Sequence, residues 1–217
     1  MPRWLKAFLM PAVLLGGPAL FVPGPFNDWR IWLFFLLAAV LVGSQPNLKY
    51  ATLGREQATS EDRSTLLILQ VCAYGIFATS YGAYLWERHR FGPLPAMSSL
   101  SIVGAVVAIG GMALRLIAIR TLGQWFTAAV TVQDSQKLIQ HGVYRWIRHP
   151  SYTGAVLFWA ALPFLLSVPL CAIVAWPLLA FAYSRRISAE EAALTKRFGD
   201  DYEEYRRRSW RLFPPVY

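Results

Sequence analysis

Several apolar stretches in the chain are each long enough to cross a lipid bilayer as a helix. They cover about residues 5–22, 30–46, 65–86 and 99–119, and a further stretch, 153–184, is too long for a single crossing. A spanning helix needs about 20 apolar residues, because backbone groups in lipid must be satisfied within the segment itself. The sequence therefore predicts an all-α fold, a polytopic transmembrane helical bundle that forms one membrane-embedded unit.

The long stretch 153–184 contains Pro163, Pro169 and Pro177. Proline inside a helix removes a hydrogen bond and kinks or ends the helix. We therefore expect a tight hairpin that turns near Ser167, with two short halves that reach only part of the way through the membrane at full tilt. The prediction is roughly five or six spans, followed by a cytosolic C-terminal helix.

Composition and charge agree with a lipid environment and favour one orientation. Only 15% of the residues are charged, against about 25% in soluble domains. The net charge of +9 comes mainly from loops and the tail, so the positive-inside rule explains it better than nucleic-acid binding. With the N-terminus in the cytosol, segments 120–150 and 185–217 share the cytosolic face. In a bacterium this membrane would be the plasma (inner) membrane.

Two features of the chain have simple structural interpretations. Arg3 and Lys6 before an apolar run resemble a secretory signal, but three prolines interrupt that run, so we expect a retained first helix. Cys72 and Cys171 lie in apolar stretches without C-x-x-C spacing. They are expected to be small buried hydrophobes, and no metal site is predicted.

The segment Gly142–Gly154 (GVYRWIRHPSYTG) concentrates polar and aromatic residues directly before the hairpin. Pro150 biases His149 away from helical geometry, which would direct the imidazole into a pocket. The two terminal glycines permit close approach of a ligand or of another backbone. The alternative is an interfacial turn in which lipid headgroups meet Arg145, Arg148 and His149 while Tyr152 serves as an anchor.

A second cluster follows the hairpin, where Glu190 and Glu191 adjoin Arg185 and Arg186. Adjacent carboxylates near the membrane surface would attract a cation such as a sulfonium cofactor that also carries an amino group. The alternative for Glu191 is a capping box with Ser188 at the start of a helix. Glu190 has no such alternative, so we expect it to be the main ligand.

Other residues admit both functional and structural interpretations. Arg115 lies within a predicted span, where a charge marks a functional partner or a cavity unless the side chain snorkels to the headgroups. Gly104 and Gly111 suggest close helix packing. Helical spacing predicts one apolar helix face, formed by Leu194, Phe198, Tyr202 and Tyr205. The basic run 206–208 is expected to contact headgroups.

These motifs together resemble the isoprenylcysteine carboxyl methyltransferase family, and they are also similar to the phospholipid N-methyltransferases grouped with it. The resemblance depends on Leu-Arg115-x6-Leu-Gly, Gly142-Val-Tyr-x3-Arg-His149-Pro-Ser-Tyr-x-Gly, Arg186-x3-Glu190-Glu191 and Phe198-Gly-x2-Tyr-x2-Tyr. It covers about residues 105–217. It therefore implies a methyltransferase core at 101–217, preceded by accessory transmembrane helices at 1–100.

The resemblance implies an S-adenosylmethionine-dependent enzyme that methylates a lipophilic or lipid-modified acceptor, with no metal. Catalytic Arg115 and Arg186 would face the acceptor, whose lipid part would enter sideways from the membrane. The implied cofactor pocket comprises Gln136, Lys137, Leu138, Ile139, Tyr144, His149, Pro150, Ser151, Tyr152, Glu190 and Glu191.

Two questions stay open at this point. A carboxylate acceptor needs no base, whereas an amine acceptor would need Glu190, Glu191 or His149 as the base. Arg115 and Arg186 favour an anionic acceptor or an acceptor next to a phosphate, but they do not decide between these two. The rival classes are a membrane sterol or enone reductase using NADPH and a non-enzymatic carrier. The acidic pair disfavours a phosphate-bearing cofactor, and the two halves of the chain lack the relatedness expected of a carrier.

Overall fold

The computed structural model describes residues 28–44, 60–92, 97–127 and 136–215. The predicted span at 5–22 lies outside these residues. The described residues form helices and irregular segments but no β-strand. One isolated bridge joins Ile147 to Trp210. The α-helices are α1 (Trp29–Gly43), α2 (Ser60–Phe91), α3 (Ser99–Leu122), α4 (Pro150–Leu165), α5 (Ala172–Phe198) and α6 (Asp200–Arg208), and the short 3-10 helices are Gly123–Trp125, Gly142–Arg145 and Pro169–Cys171. The all-α prediction is confirmed.

Three helical segments are long and apolar enough to cross a membrane: Ser64–Phe91, Ser99–Trp125 and Pro169–Phe198. Helices α1 and α4 are apolar but shorter. Large apolar side chains such as Trp32, Trp86 and Val106 point outward from the bundle, as expected where lipid replaces water. The bundle is therefore a membrane-embedded one, although the exact number of crossings stays a prediction.

Helices α3 and α4 pack closely because glycines lie at their contact. A Cβ added to Gly104 would lie 2.2 Å from the Leu165 nitrogen, and one added to Gly154 would lie 2.4 Å from the Gly111 carbonyl oxygen. The backbones can approach this closely only without side chains at these positions. The packing interpretation of Gly104 and Gly111 is confirmed, and the approach also brings α3 against the first turns of α4.

The hairpin turn lies where the prolines predicted it. Helix α4 ends at Leu165, Ser167 has a φ of 60°, and Pro169 opens the next helical segment. The prediction of two short halves is wrong for the second half, because α5 continues for 27 residues to Phe198. Pro177 lies inside α5 and does not end it.

The alternative interpretation of Ser188 and Glu191 as a capping box is also wrong. Ser188 lies in the interior of α5, and no helix begins there. Arg186, Ile187 and Glu191 are buried on this part of α5. The two charged residues have partners elsewhere in the bundle, and these contacts stabilise the continuous helix. Tertiary contacts here override a local start signal.

A buried polar cluster fastens the bundle at the hairpin end. Arg30 is fully buried and forms an ion pair with Asp28. The Tyr84 hydroxyl donates to Asp28 at 2.8 Å, and Arg30 donates to the Ser167 hydroxyl at 3.0 Å. Ser167 in turn lies 2.9 Å from the Ser98 hydroxyl. The cluster therefore links α1, α2, the start of α3 and the hairpin turn.

The C-terminal segment covers the opposite end of the bundle. Gly199, with a φ of 53°, separates α5 from α6, so the apolar face expected from Leu194 to Tyr205 is not one continuous helix. Tyr202 and Tyr205 are nevertheless buried. The tail then pairs with the segment before α4, since the Arg148 amide donates to the Trp210 carbonyl at 2.9 Å.

Candidate active site

A cavity of about 250 Å³ lies under α6, between α3, the first turns of α4 and the inner half of α5. It brings together most of the residues that the sequence singled out, although they come from four separate segments of the chain. The predicted residues that line it are Arg115, Gln136, Lys137, Leu138, Ile139, Tyr144, His149, Ser151, Tyr152, Arg186 and Glu190. Pro150 and Glu191 are not among the lining residues.

The start of α4 presents His149 to the cavity. Pro150 occupies the first turn of the helix, and His149 has a φ of −123° and a ψ of 54°, outside helical geometry as the following proline predicts. The His149 carbonyl accepts the amides of Tyr152 and Thr153, each at 3.0 Å. The side chain of His149 is 3% exposed, so His149 does not meet headgroups as the alternative interpretation supposed. Pro150 shapes this turn and does not reach the cavity.

The two adjacent carboxylates have different surroundings. Glu190 lines the cavity, and its Oε1 lies 4.0 Å from His149 Nδ1. Glu191 lies on the other side of the imidazole, with Oε1 3.2 Å from His149 Nε2 and 2.8 Å from Arg148 Nε. Its Oε2 is 2.8 Å from a guanidinium nitrogen of Arg211. Glu191 therefore holds the turn and the tail together, while Glu190 remains the carboxylate on the cavity.

Arg115 extends from α3 to the first turn of α4. Its Nη1 donates to the Ser151 carbonyl at 3.1 Å and to the Ser151 hydroxyl at 2.9 Å, and the guanidinium lies 5.9 Å from the centre of the Phe126 ring. Only 6% of the residue is exposed, and its Nε has no hydrogen-bond partner among the residues that the structure describes. The side chain therefore lies buried on the wall of the cavity and does not snorkel to the headgroups.

Arg186 is a second buried cation on the cavity. It is 2% exposed, its Nη1 donates to the Thr65 hydroxyl at 3.0 Å, and its Nε donates to the Tyr152 hydroxyl at 3.3 Å. Tyr152 and Glu190 both line the same cavity. Both arginines are thus bonded to the first turn of α4, Arg115 to Ser151 and Arg186 to Tyr152.

Tyrosines form much of the polar wall beneath α6. The Tyr205 hydroxyl donates to the Tyr144 carbonyl at 2.6 Å, which ties α6 to the short helix Gly142–Arg145. Burial, followed by the charge of Glu190, raises the pKa of Tyr144 well above its usual value, so this phenol stays neutral at physiological pH. Tyr202 also lines the cavity.

Sequence reasoning missed Tyr202 and Tyr205 as site residues. Their spacing with Leu194 and Phe198 was interpreted as an apolar helix face, and burial alone would have looked the same. The available signal was their recurrence as Tyr-x2-Tyr in the motif shared with the family. A second group that was missed extends the cavity away from the polar wall, and it consists of Leu41, Leu66, Leu69, Ala155 and Trp159.

This extension forms an apolar arm. Trp159 lies two helical turns beyond Tyr152 on α4, about 10 Å along the axis, and its ring meets the buried Phe34 at a centroid distance of 6.1 Å. Leu66 and Leu69 come from α2, and Leu41 comes from α1. A single cavity thus combines a charged polar end with an apolar arm that runs between helices.

Fold and site together define a membrane-embedded helical protein with a buried, ionised site at one end of its bundle. Residues 103–196 match the model of the isoprenylcysteine carboxyl methyltransferase (ICMT) family. A probable protein-S-isoprenylcysteine O-methyltransferase of Oryza sativa subsp. indica is 34% identical over 180 residues, which are 81% of this chain and 91% of that protein. The chain therefore belongs to the isoprenylcysteine carboxyl methyltransferase family, and it is an integral membrane methyltransferase.

Two further comparisons agree with the family. The Homo sapiens protein-S-isoprenylcysteine O-methyltransferase is 34% identical over 133 residues, which are 60% of this chain and 46% of that protein. The solved structure of the eukaryotic intramembrane Ras methyltransferase ICMT superposes with a TM-score of 0.63 at 26% identity, covering 97% of this chain and 75% of that one. The resemblance found in the sequence motifs is confirmed.

Proposed function

We propose that the cavity binds S-adenosylmethionine and that the enzyme transfers its methyl group to the carboxylate of a prenylated cysteine. The observation that carries this proposal is the division of the cavity. Glu190 and His149 lie at the polar end, Arg115 and Arg186 lie where the polar end meets the apolar arm, and all four line one space.

The polar end suits a cationic nucleoside. S-adenosylmethionine carries a sulfonium and an ammonium group, and Glu190 offers them a carboxylate. Glu191 forms ion pairs with Arg148 and Arg211, whereas no arginine among the described residues forms an ion pair with Glu190. A charge-assisted hydrogen bond from the ammonium group to the Glu190 carboxylate is about twice as strong as a neutral one. The segment Gln136–Ile139 and Tyr144 would enclose the nucleoside, as the family resemblance implies.

The two arginines suit an anionic acceptor. A carboxylate is already ionised at neutral pH, so its oxygen can attack the methyl carbon directly while the carbon–sulfur bond breaks and the electron pair returns to sulfur. No proton is lost and no base is needed. The contribution of the protein is to hold the two reactants in line at near-contact distance, with Arg115 and Arg186 orienting the carboxylate.

The apolar arm suits the lipid part of the acceptor. Its walls are leucine, alanine and tryptophan side chains from α1, α2 and α4, and burial of such surface contributes about 25 cal/mol per Å². We infer that the lipid enters sideways between helices and that the polar end faces the cytosol, where the basic loops place it under the positive-inside rule.

Methyl transfer from a labelled donor tests this proposal. Purified protein in liposomes would be incubated with methyl-labelled S-adenosylmethionine and either N-acetyl-S-farnesylcysteine, its carboxamide, or a total lipid extract. We expect base-labile label, a methyl ester, on the free acid and none on the carboxamide. Base-stable label in the lipid extract would instead indicate an amine acceptor, and absence of label on every acceptor would refute the proposal.

A further inference from the structure

Tyr202 lies in the first turn of α6, where it is 1% exposed and lines the cavity. Its hydroxyl has no hydrogen-bond partner within the part of the chain that the structure describes. The neighbouring Tyr205 is different, because its hydroxyl donates to the Tyr144 carbonyl. Only one of these two buried phenols is therefore satisfied by the protein itself.

An unsatisfied buried hydroxyl is costly, and proteins seldom keep one without a reason. The Tyr202 ring is held in place, with its centroid 6.1 Å from that of Tyr205 in an edge-to-face arrangement. The backbone is held as well, because the Tyr202 amide donates to the Gly199 carbonyl at 3.1 Å. The hydroxyl is thus fixed beside a cavity that can supply its missing partner.

The surroundings of Tyr202 make it a hydrogen-bond donor. Burial, followed by the charges of Glu191 and Glu190, raises the pKa of Tyr202 well above its usual value, so the phenol keeps its proton. A bound molecule must then offer an acceptor. If the ammonium group of an amino acid is drawn to Glu190, the carboxylate on the same carbon lies within a few bonds of it and needs a donor of its own.

We propose that the Tyr202 hydroxyl donates a hydrogen bond to the methionine carboxylate of the methyl donor. This inference rests on the proposed function, since it assumes that S-adenosylmethionine occupies the cavity. Tyr202 is then a ligand of the donor substrate that completes its own hydrogen bonding only when the substrate is bound.

Tyr202→Phe removes only the hydroxyl, and Tyr81→Phe is a matched control. The Tyr81 hydroxyl is likewise buried and without a partner in the described residues, but Tyr81 belongs to α2 and does not line the cavity. Titration calorimetry would measure the binding of S-adenosylhomocysteine and of 5′-methylthioadenosine, which lacks the amino-acid end. Thermal unfolding of the ligand-free proteins would be measured in parallel.

We expect Tyr202→Phe to weaken S-adenosylhomocysteine roughly tenfold, to leave 5′-methylthioadenosine unchanged, and to leave the ligand-free Tm unchanged or higher. Tyr81→Phe should change neither affinity. Equal affinity of Tyr202→Phe and wild type for S-adenosylhomocysteine, or an equal loss for both ligands, would overturn the inference. If the wild type binds neither ligand, the proposed function itself fails.

Discussion

Glu190 and Glu191 are neighbours in the chain but face different surroundings, because successive residues on a helix point about 100° apart. His149 lies between them, 4.0 Å from one carboxylate and 3.2 Å from the other. Glu191 is held by Arg148 and Arg211 as well, and only 9% of its side chain is exposed, against 31% for Glu190. The proposal therefore gives Glu191 a structural role and Glu190 a binding role.

Glu190→Gln should weaken S-adenosylmethionine binding by about 10- to 100-fold, because a hydrogen bond to a charged group contributes about 1.5–3 kcal/mol. The protein should stay folded in detergent, since Glu190 is partly exposed and the amide retains its shape. Calorimetric titration of both proteins measures the difference. Glu204→Gln is a suitable control, because that carboxylate lies on the exposed surface of α6. Equal affinities of Glu190→Gln and wild type would remove Glu190 from the site.

Arg115→Ala should lower turnover more than it lowers affinity for S-adenosylmethionine, because Arg115 is assigned to the acceptor. We expect a fall in kcat of about 10- to 100-fold, with partial recovery in Arg115→Lys, which keeps the charge but not the fork. Steady-state kinetics and calorimetry together separate the two effects. Arg120→Ala, five residues further along α3 at an exposed position, should retain activity. A loss confined to cofactor binding would contradict the acceptor role.

Individual residues were predictable from the sequence where a local rule acted on them. Pro150 was enough to predict that His149 leaves helical geometry. The burial of Arg186 was not predictable, because it depends on residues that lie far away in the chain, such as Thr65 on α2. The unsatisfied hydroxyl of Tyr202 was not predictable either, because it depends on which segments enclose the cavity. The roles of all these residues in binding and catalysis stay predictions.

Helices and their connections were likewise predictable where a local rule acted, and not where contacts between distant segments decided the structure. The hairpin turn at Ser167 was predictable because proline disfavours a helix interior and Pro169 opens the next helical segment. Pro163 and Pro177, in contrast, lie inside helices. The continuation of α5 through Ser188 was not, because the S-x-x-E spacing is a local signal, while the carboxylate of Glu191 has its partners in the turn before α4 and in the tail. Gly104 and Gly111 indicated that α3 packs closely against another helix. They did not indicate that this helix is α4.

The cluster at the hairpin end leads to a prediction about stability. Arg30→Met should destabilise the protein by about 3–5 kcal/mol, because it leaves the Asp28 carboxylate buried without its cation. Asp28→Asn in the same background should restore part of the loss. Unfolding in mixed detergent, followed by circular dichroism, measures both variants. Arg90→Met, at an exposed position near the end of α2, is the control. An Arg30→Met protein as stable as wild type would show that the ion pair does not fasten the bundle.

At the scale of the whole molecule, the candidate site lies at one end of the bundle and the buried cluster of Asp28 and Arg30 lies at the other. Arg30, Ser98 and Ser167 meet at the hairpin end, whereas α6 and the start of α4 line the cavity. Apolar lengths predicted a helical membrane bundle, and shared motifs predicted the family. The convergence of segments 136–149 and 186–205 on one cavity required the fold, since these segments are separated by the entire hairpin.

Hydrogen–deuterium exchange of the purified protein, with and without S-adenosylhomocysteine, tests this convergence most directly. Ligand binding should slow exchange in two segments at once, 136–149 and 194–205, because both close over the same molecule. The outer half of α3, residues 99–107, should be unaffected and provides the internal reference. Protection of both segments is the result we predict. Protection confined to one of them, or no change in either at saturating ligand, would contradict a single shared binding site.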